Sequence, residues 1–268
     1  MQLISPPART AGQPSGRAGR VHTCSVTADD LPARPDAGLE RALVARWTEI
    51  VGEAAPARQA GAALVHRWSE PERCYHDLVH LAAVLDHVDE LVRAEPGTAS
   101  DADAVVLAAY FHDAVYDPTT PDNEARSAAL AGNGLKELGL PPRRVREVVR
   151  LVLLTATHAP DPDDGNGAVL CDADLAVLAA DPAAYAAYAA AVRTEYAHVP
   201  EPQFRAGRAR VLADLLEHEV LYRTGTGRTW WEVAARRNVR AELVLLRAST
   251  GAPDSAGVAS ADRPPGAG

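Results

Sequence analysis

The chain has 268 residues, 47% of them hydrophobic, enough for one large domain with a substantial core. Its 27 basic and 36 acidic residues leave a net charge of -9, which argues against a general nucleic-acid binder. Cys24, Cys74 and Cys171 are too few for a disulfide framework, no apolar run reaches the roughly 18 residues of a membrane span, and the opening MQLISPPART lacks the order of a secretion signal.

Residues 1–37 are rich in Pro, Gly, Ala, Arg and Ser and have no apolar period, so they are expected to form a disordered tail. Residues 248–268 read the same way. The folded unit should span 38–247 as one domain. Within it, LERALVARWTEIVG sets Leu39, Leu43, Trp47 and Ile50 at helical spacing. Residues 75–92 repeat the pattern with Leu78, Leu81, Val84, Leu85, Val88 and Leu91. The run DADAVVLAAYFHDAVY is apolar nearly all round and predicts a buried central helix. A further helix covers 122–138 and stops at Gly139. PPRRVREVVRLVLLTATH begins with prolines, which a helix tolerates at its start. Later helices are expected at 173–179, 182–198, 202–221 and 230–246, with loops at 157–169 and 223–228. The alternating β-branched runs of a sheet are absent, so the fold class is all-α.

The chemistry-bearing residues fall on these elements. His76 and His80 stand four apart, which on one helix places both imidazoles on one face. His112 and Asp113 lie in the most hydrophobic segment, where an ionised carboxylate is costly unless it is paired or holds a metal. Asp172 and Asp174 follow an apolar pair; one of them can be a helix cap, but capping does not readily account for both. Mixed imidazole and carboxylate ligands converging from separate helices suit Mn, Fe, Co, Ni or Zn. Arginine forks suit phosphate, and Arg73, three residues before His76, is the best placed, ahead of Arg126, Arg208 and Arg236. Cys74 and Cys171 flank these motifs and read as small buried side chains rather than ligands.

The order RCYHDLVH, FHDAVYD, DNEARS, DADL resembles the HD-domain superfamily of metal-dependent phosphohydrolases. The likeness is to a bacterial family of predicted members with RxYHxxxH, FHDxxYD, DNExxS and DADL, and it covers roughly residues 40–247. It implies an HD-type helical bundle with His80, His112, Asp113 and Asp174 as metal ligands and Asp172 as the alternate to Asp174. The YHDLVH segment is similar to the HNxxH segment of cyclic-nucleotide phosphodiesterases, which implies that His76 donates a proton to the leaving oxygen. Asp77 stands where that segment has asparagine.

The resemblance also implies that Asp117, four residues after Asp113, or Glu124 positions the attacking water. His158 would hold substrate phosphate or a second metal; a helix C-terminal imidazole facing the macrodipole is the other account of it. Asn238, in ARRNVRAEL, recurs in the resembled family without a physical role that sequence supplies. The expected activity is hydrolysis of a small phosphoester or nucleotide, with water activated by a divalent Mn, Fe, Co, Ni, Zn or Mg ion. The alternatives are a di-iron oxygenase on the same scaffold and a non-catalytic nucleotide- or metal-binding regulatory module. A cytoplasmic location is expected, with a small phosphorylated substrate, no DNA and no membrane as partners, and exposed apolar helix faces that would support a homodimer.

Overall fold

A computed structural model describes residues 37–248; Ala37 and Ala248 are helical, and the rest of the expected terminal tails lies outside the described residues. Those described are all-helical, with no strand among them. Eleven α-helices run in order: α1 Ala37–Val51, α2 Ala55–Trp68, α3 Leu78–Ala94, α4 Ala102–Phe111, α5 Asn123–Glu137, α6 Pro142–Leu154, α7 Gly165–Leu175, α8 Pro182–Glu195, α9 Glu201–Glu217, α10 Gly225–Trp230 and α11 Glu232–Ala248. A 3-10 turn, Ala176–Ala179, joins α7 to α8. No single described helix is long and apolar enough to cross a membrane.

The side chains divide into two packed cores. The first is built by α1 to α7 around α4, whose residues Ala104 to Phe111 are all buried, as an all-apolar helix requires. Trp47 and Trp68 fill it, each with its indole N–H satisfied by a backbone carbonyl, those of Ala57 and Tyr110. The second core gathers the end of α7, the 3-10 turn, α8, α9 and α11 around Tyr185, Tyr188, Tyr222 and Leu212. Asn238 of α11 donates to the carbonyls of Leu178 and Ala180 and so ties the 3-10 turn to α11. Helix α7 belongs to both cores: Val169, Leu170 and Ala173 face the first and Leu175 the second.

Several sequence expectations need correction. The helix expected at 75–92 begins only at Leu78, because Asp77 caps it by accepting from the amides of Val79 and His80. His76 therefore lies in the preceding turn. Helix α4 stops at Phe111 rather than running to Tyr116, so Asp113 and Asp117 do not share a helical face. The glycine-rich stretches read as loops are partly helical. Asp164 caps α7 at Gly167 and Thr224 caps α10 at Gly227. Glycine answers a steric need in α7: a Cβ on Gly165 would collide with the carbonyl oxygen of Thr98, and one on Gly167 with the Asp164 carboxylate that caps the helix. Helix α2 is an addition; its Gly61 lies against the Trp47 indole.

Candidate metal centre

At the junction of the two cores, three helix ends bring imidazole and carboxylate groups together. His80 comes from the first turn of α3, held there by the Asp77 cap. His112 is the residue that ends α4, and Asp174 lies in the last turn of α7. Nε2 of His80 is 3.3 Å from Nε2 of His112 and 3.2 Å from Oδ1 of Asp174, and His112 Nε2 is 3.6 Å from that oxygen. Two ligand atoms bound to one ion at ~2.1 Å lie roughly 3.0–3.4 Å apart; two sides of this triangle fall in that range and the third is slightly longer, close to the dimensions of a coordination face. The ring of Trp68 covers it, 5.2 Å from His112 and 6.1 Å from His80 between centroids.

The tautomers suit a cation. His112 donates Nδ1–H to the carbonyl of Ala109 at 2.7 Å, which aims the Nε2 lone pair inward. Burial holds His80 below its ordinary pKa and therefore neutral. Burial alone would lower His112 too, but the carboxylates of Asp113 and Asp174 outweigh it and hold the group up at about 9. Asp174 is correspondingly kept well below the usual carboxylate range by His112 and its hydrogen bonds, against the effect of its burial. The two carboxylates favour a positive charge at the centre of the cluster, which a proton on His112 or a metal ion would supply.

Asp113 stands at the rim. Its Oδ2 is 3.4 Å from His112 Nε2 and 3.8 Å from His76 Nε2, outside the three-residue face. Asp172 does not approach the cluster. Fully buried, it accepts from the amides of Arg223 and Thr224 and from the Thr224 hydroxyl, pinning the start of α10. Between the two aspartates, the geometry selects Asp174.

His76 is fixed by a residue that sequence reasoning missed. Glu195, the last residue of α8, is buried and accepts at Oε1 from the amides of Cys74, Tyr75 and His76. Its Oε2 lies 2.7 Å from His76 Nδ1 and accepts from the Tyr116 hydroxyl at 2.9 Å. Burial would raise Glu195, yet the charge of His76 and these donors hold it at about 2. His76 is pushed up in return: burial opposes its charge, but Glu195 prevails. The outcome is an imidazole with Nδ1 anchored on Glu195, its protonated form favoured, and Nε2 facing Asp113. No spacing rule connects residues 76 and 195.

The other expected site residues fall in different places. Arg73 is buried and directs its fork at backbone: Nη1 donates to the carbonyls of His76 and Asp113, Nη2 to that of Ala114, and Nε to Glu70. This corrects its expected role, because those bonds hold the turn after α4 rather than a substrate. Asp117 accepts at Oδ1 from the amide and hydroxyl of Thr119 and orders its own loop. Arg126 is exposed, and Arg236 spends its donors on Glu232 and on the carbonyls of Leu216, His218 and Glu219. Glu124 is buried in the first turn of α5 and lines an outer recess of about 420 Å³.

His158 reaches the cluster itself. Its Nε2 is 2.7 Å from Oδ2 of Asp174, on the far side of that carboxylate from His80 and His112. Its backbone is left-handed, with φ of 50°, a conformation that costs a non-glycine residue about 1–2 kcal/mol. Its Nδ1 is buried with no hydrogen-bond partner among the described residues. The ring forms a wall shared by the outer recess and an inner cavity of about 30 Å³ bounded by His76, Asp113, Asp174, Tyr188 and Arg208.

Comparison with protein families, with curated proteins and with solved structures returned no match.

Proposed function

We propose that this chain is a metal-dependent phosphohydrolase of HD type, acting on a small phosphoester or nucleotide. The observation that carries the reading is the face formed by His80, His112 and Asp174, with His76 anchored beside it by Glu195. A divalent cation bound there would lower the pKa of a coordinated water and polarise a phosphoryl oxygen. His80, His112 and Asp174 would hold it, with Asp113 at the open edge. His76 keeps its proton through Glu195 and is placed to pass it from Nε2 to a leaving oxygen. Arg73 fixes the backbone of both His76 and Asp113, so the proton donor and the rim carboxylate keep their relative positions. The outer recess has room for the organic part of the substrate and presents Glu124 to it.

The test is a panel of phosphoesters and nucleotides offered to metal-loaded protein, wild type beside His76→Gln. Wild type should release phosphate, and the variant should lose roughly 10²–10⁴ in kcat with its metal content unchanged. Equal turnover by the two proteins would remove His76 from the reaction. Two irons per chain with oxygen consumption and no phosphate release would favour the di-iron oxygenase instead.

A further inference from the structure

Arg208, in the middle of α9, is 1% exposed. An arginine this deep must satisfy five N–H donors without water. Nε donates to Oε1 of Glu242 at 2.9 Å, and Nη2 donates to Oε2 of Glu242 and to the Tyr188 hydroxyl, both at 3.1 Å. Tyr185 donates to the same carboxylate at 2.6 Å, so the anchor is itself anchored. One edge of the guanidinium is thus fully engaged. The other nitrogen, Nη1, is buried and finds no acceptor among the described residues.

Arg208 also lines the inner cavity, together with His76, Asp113, His158 and Asp174. That cavity, at about 30 Å³, has room for about two water-sized groups. A buried cationic donor left open toward such a space is costly unless a ligand completes it. With one edge clamped by Glu242, the free edge is held rigidly, as recognition of a planar or tetrahedral oxyanion requires.

We infer that Arg208 Nη1 is the anion-binding donor of this site and receives an oxygen of the substrate's phosphoryl group. The inference rests on the phosphohydrolase reading and names the residue that binds the transferred group. It places the oxyanion contact on α9, in the core opposite to the one that supplies His80 and His112.

The experiment measures binding of inorganic phosphate to Mn-loaded protein by calorimetry, for wild type and Arg208→Lys. Lysine keeps a cation for Glu242 but loses the fork. The expected result is unchanged manganese content and phosphate binding weakened about tenfold or more. Manganese uptake with equal phosphate affinity in the two proteins would overturn the inference and leave the metal centre standing. Phosphate binding that depends on Arg208 without manganese uptake would keep the anion site and overturn the metal centre. If the variant does not fold, a crystal structure of Mn-loaded wild type with phosphate decides. An oxygen of phosphate within ~3.2 Å of Nη1 supports the assignment. An Nη1 that bonds only water, with phosphate elsewhere or absent, contradicts it.

Discussion

Glu195 accepts five hydrogen bonds from four residues, three of them backbone amides of the segment that carries His76. Its pKa, displaced from 4.5 to about 2, corresponds to about 3 kcal/mol of stability. The folded-state value is depressed, so this contribution is complete above about pH 4.5 and is lost as pH falls toward 2. Glu195→Gln should therefore cost metal-free protein about 3 kcal/mol at pH 7 in denaturant unfolding, a gap that narrows below pH 4.5. A constant gap across that window would mean that packing, not charge, is what the carboxylate supplies. The same substitution should lower the pKa of His76, visible as an imidazole shift in NMR titration. His80, His112 and Asp174 were legible in the sequence because residue type and motif order identify them. Glu195 was not, because its partners are backbone amides about 120 residues away. Arg73 was misread for a related reason: carbonyl acceptors leave no mark in a sequence.

At the scale of elements, the apolar period located most helices, and it did so because each buries one face against a neighbour. It failed where side chains are small. Residues 157–169 read as a loop by their Gly, Asp and Pro content, yet α7 begins at Gly165, where the missing side chain lets it lie against the backbone at Thr98. Asp174 rides on that helix, so its seating fixes a ligand. Gly165→Ala would force the helix away from Thr98 and should destabilise the protein by about 1–3 kcal/mol, with weaker metal retention on dialysis. Unchanged stability together with unchanged retention would show that α7 tolerates the shift. The turn containing His76 was likewise hidden, since an i,i+4 pair reads as one helix unless the intervening Asp77 is recognised as a cap.

For the whole molecule, the site is where two cores meet. His80 and His112 come from the first, and Asp174 from α7, the helix common to both. A cation bound to all three would tie these elements together only in the folded state. At a hundredfold excess over its dissociation constant it would add about 2.7 kcal/mol, or roughly 5–10 °C in Tm for a domain of this size. Chelation should lower the Tm of wild type by that amount and leave His112→Ala unmoved. The most direct test is metal content per chain by mass spectrometry, on wild type and His112→Ala, after incubation with Mn, Fe, Co, Ni or Zn and dialysis. The account predicts stoichiometric metal in wild type and its loss from a variant that keeps a helical circular-dichroism spectrum. Wild type that retains no metal, or a variant that retains as much, would contradict it.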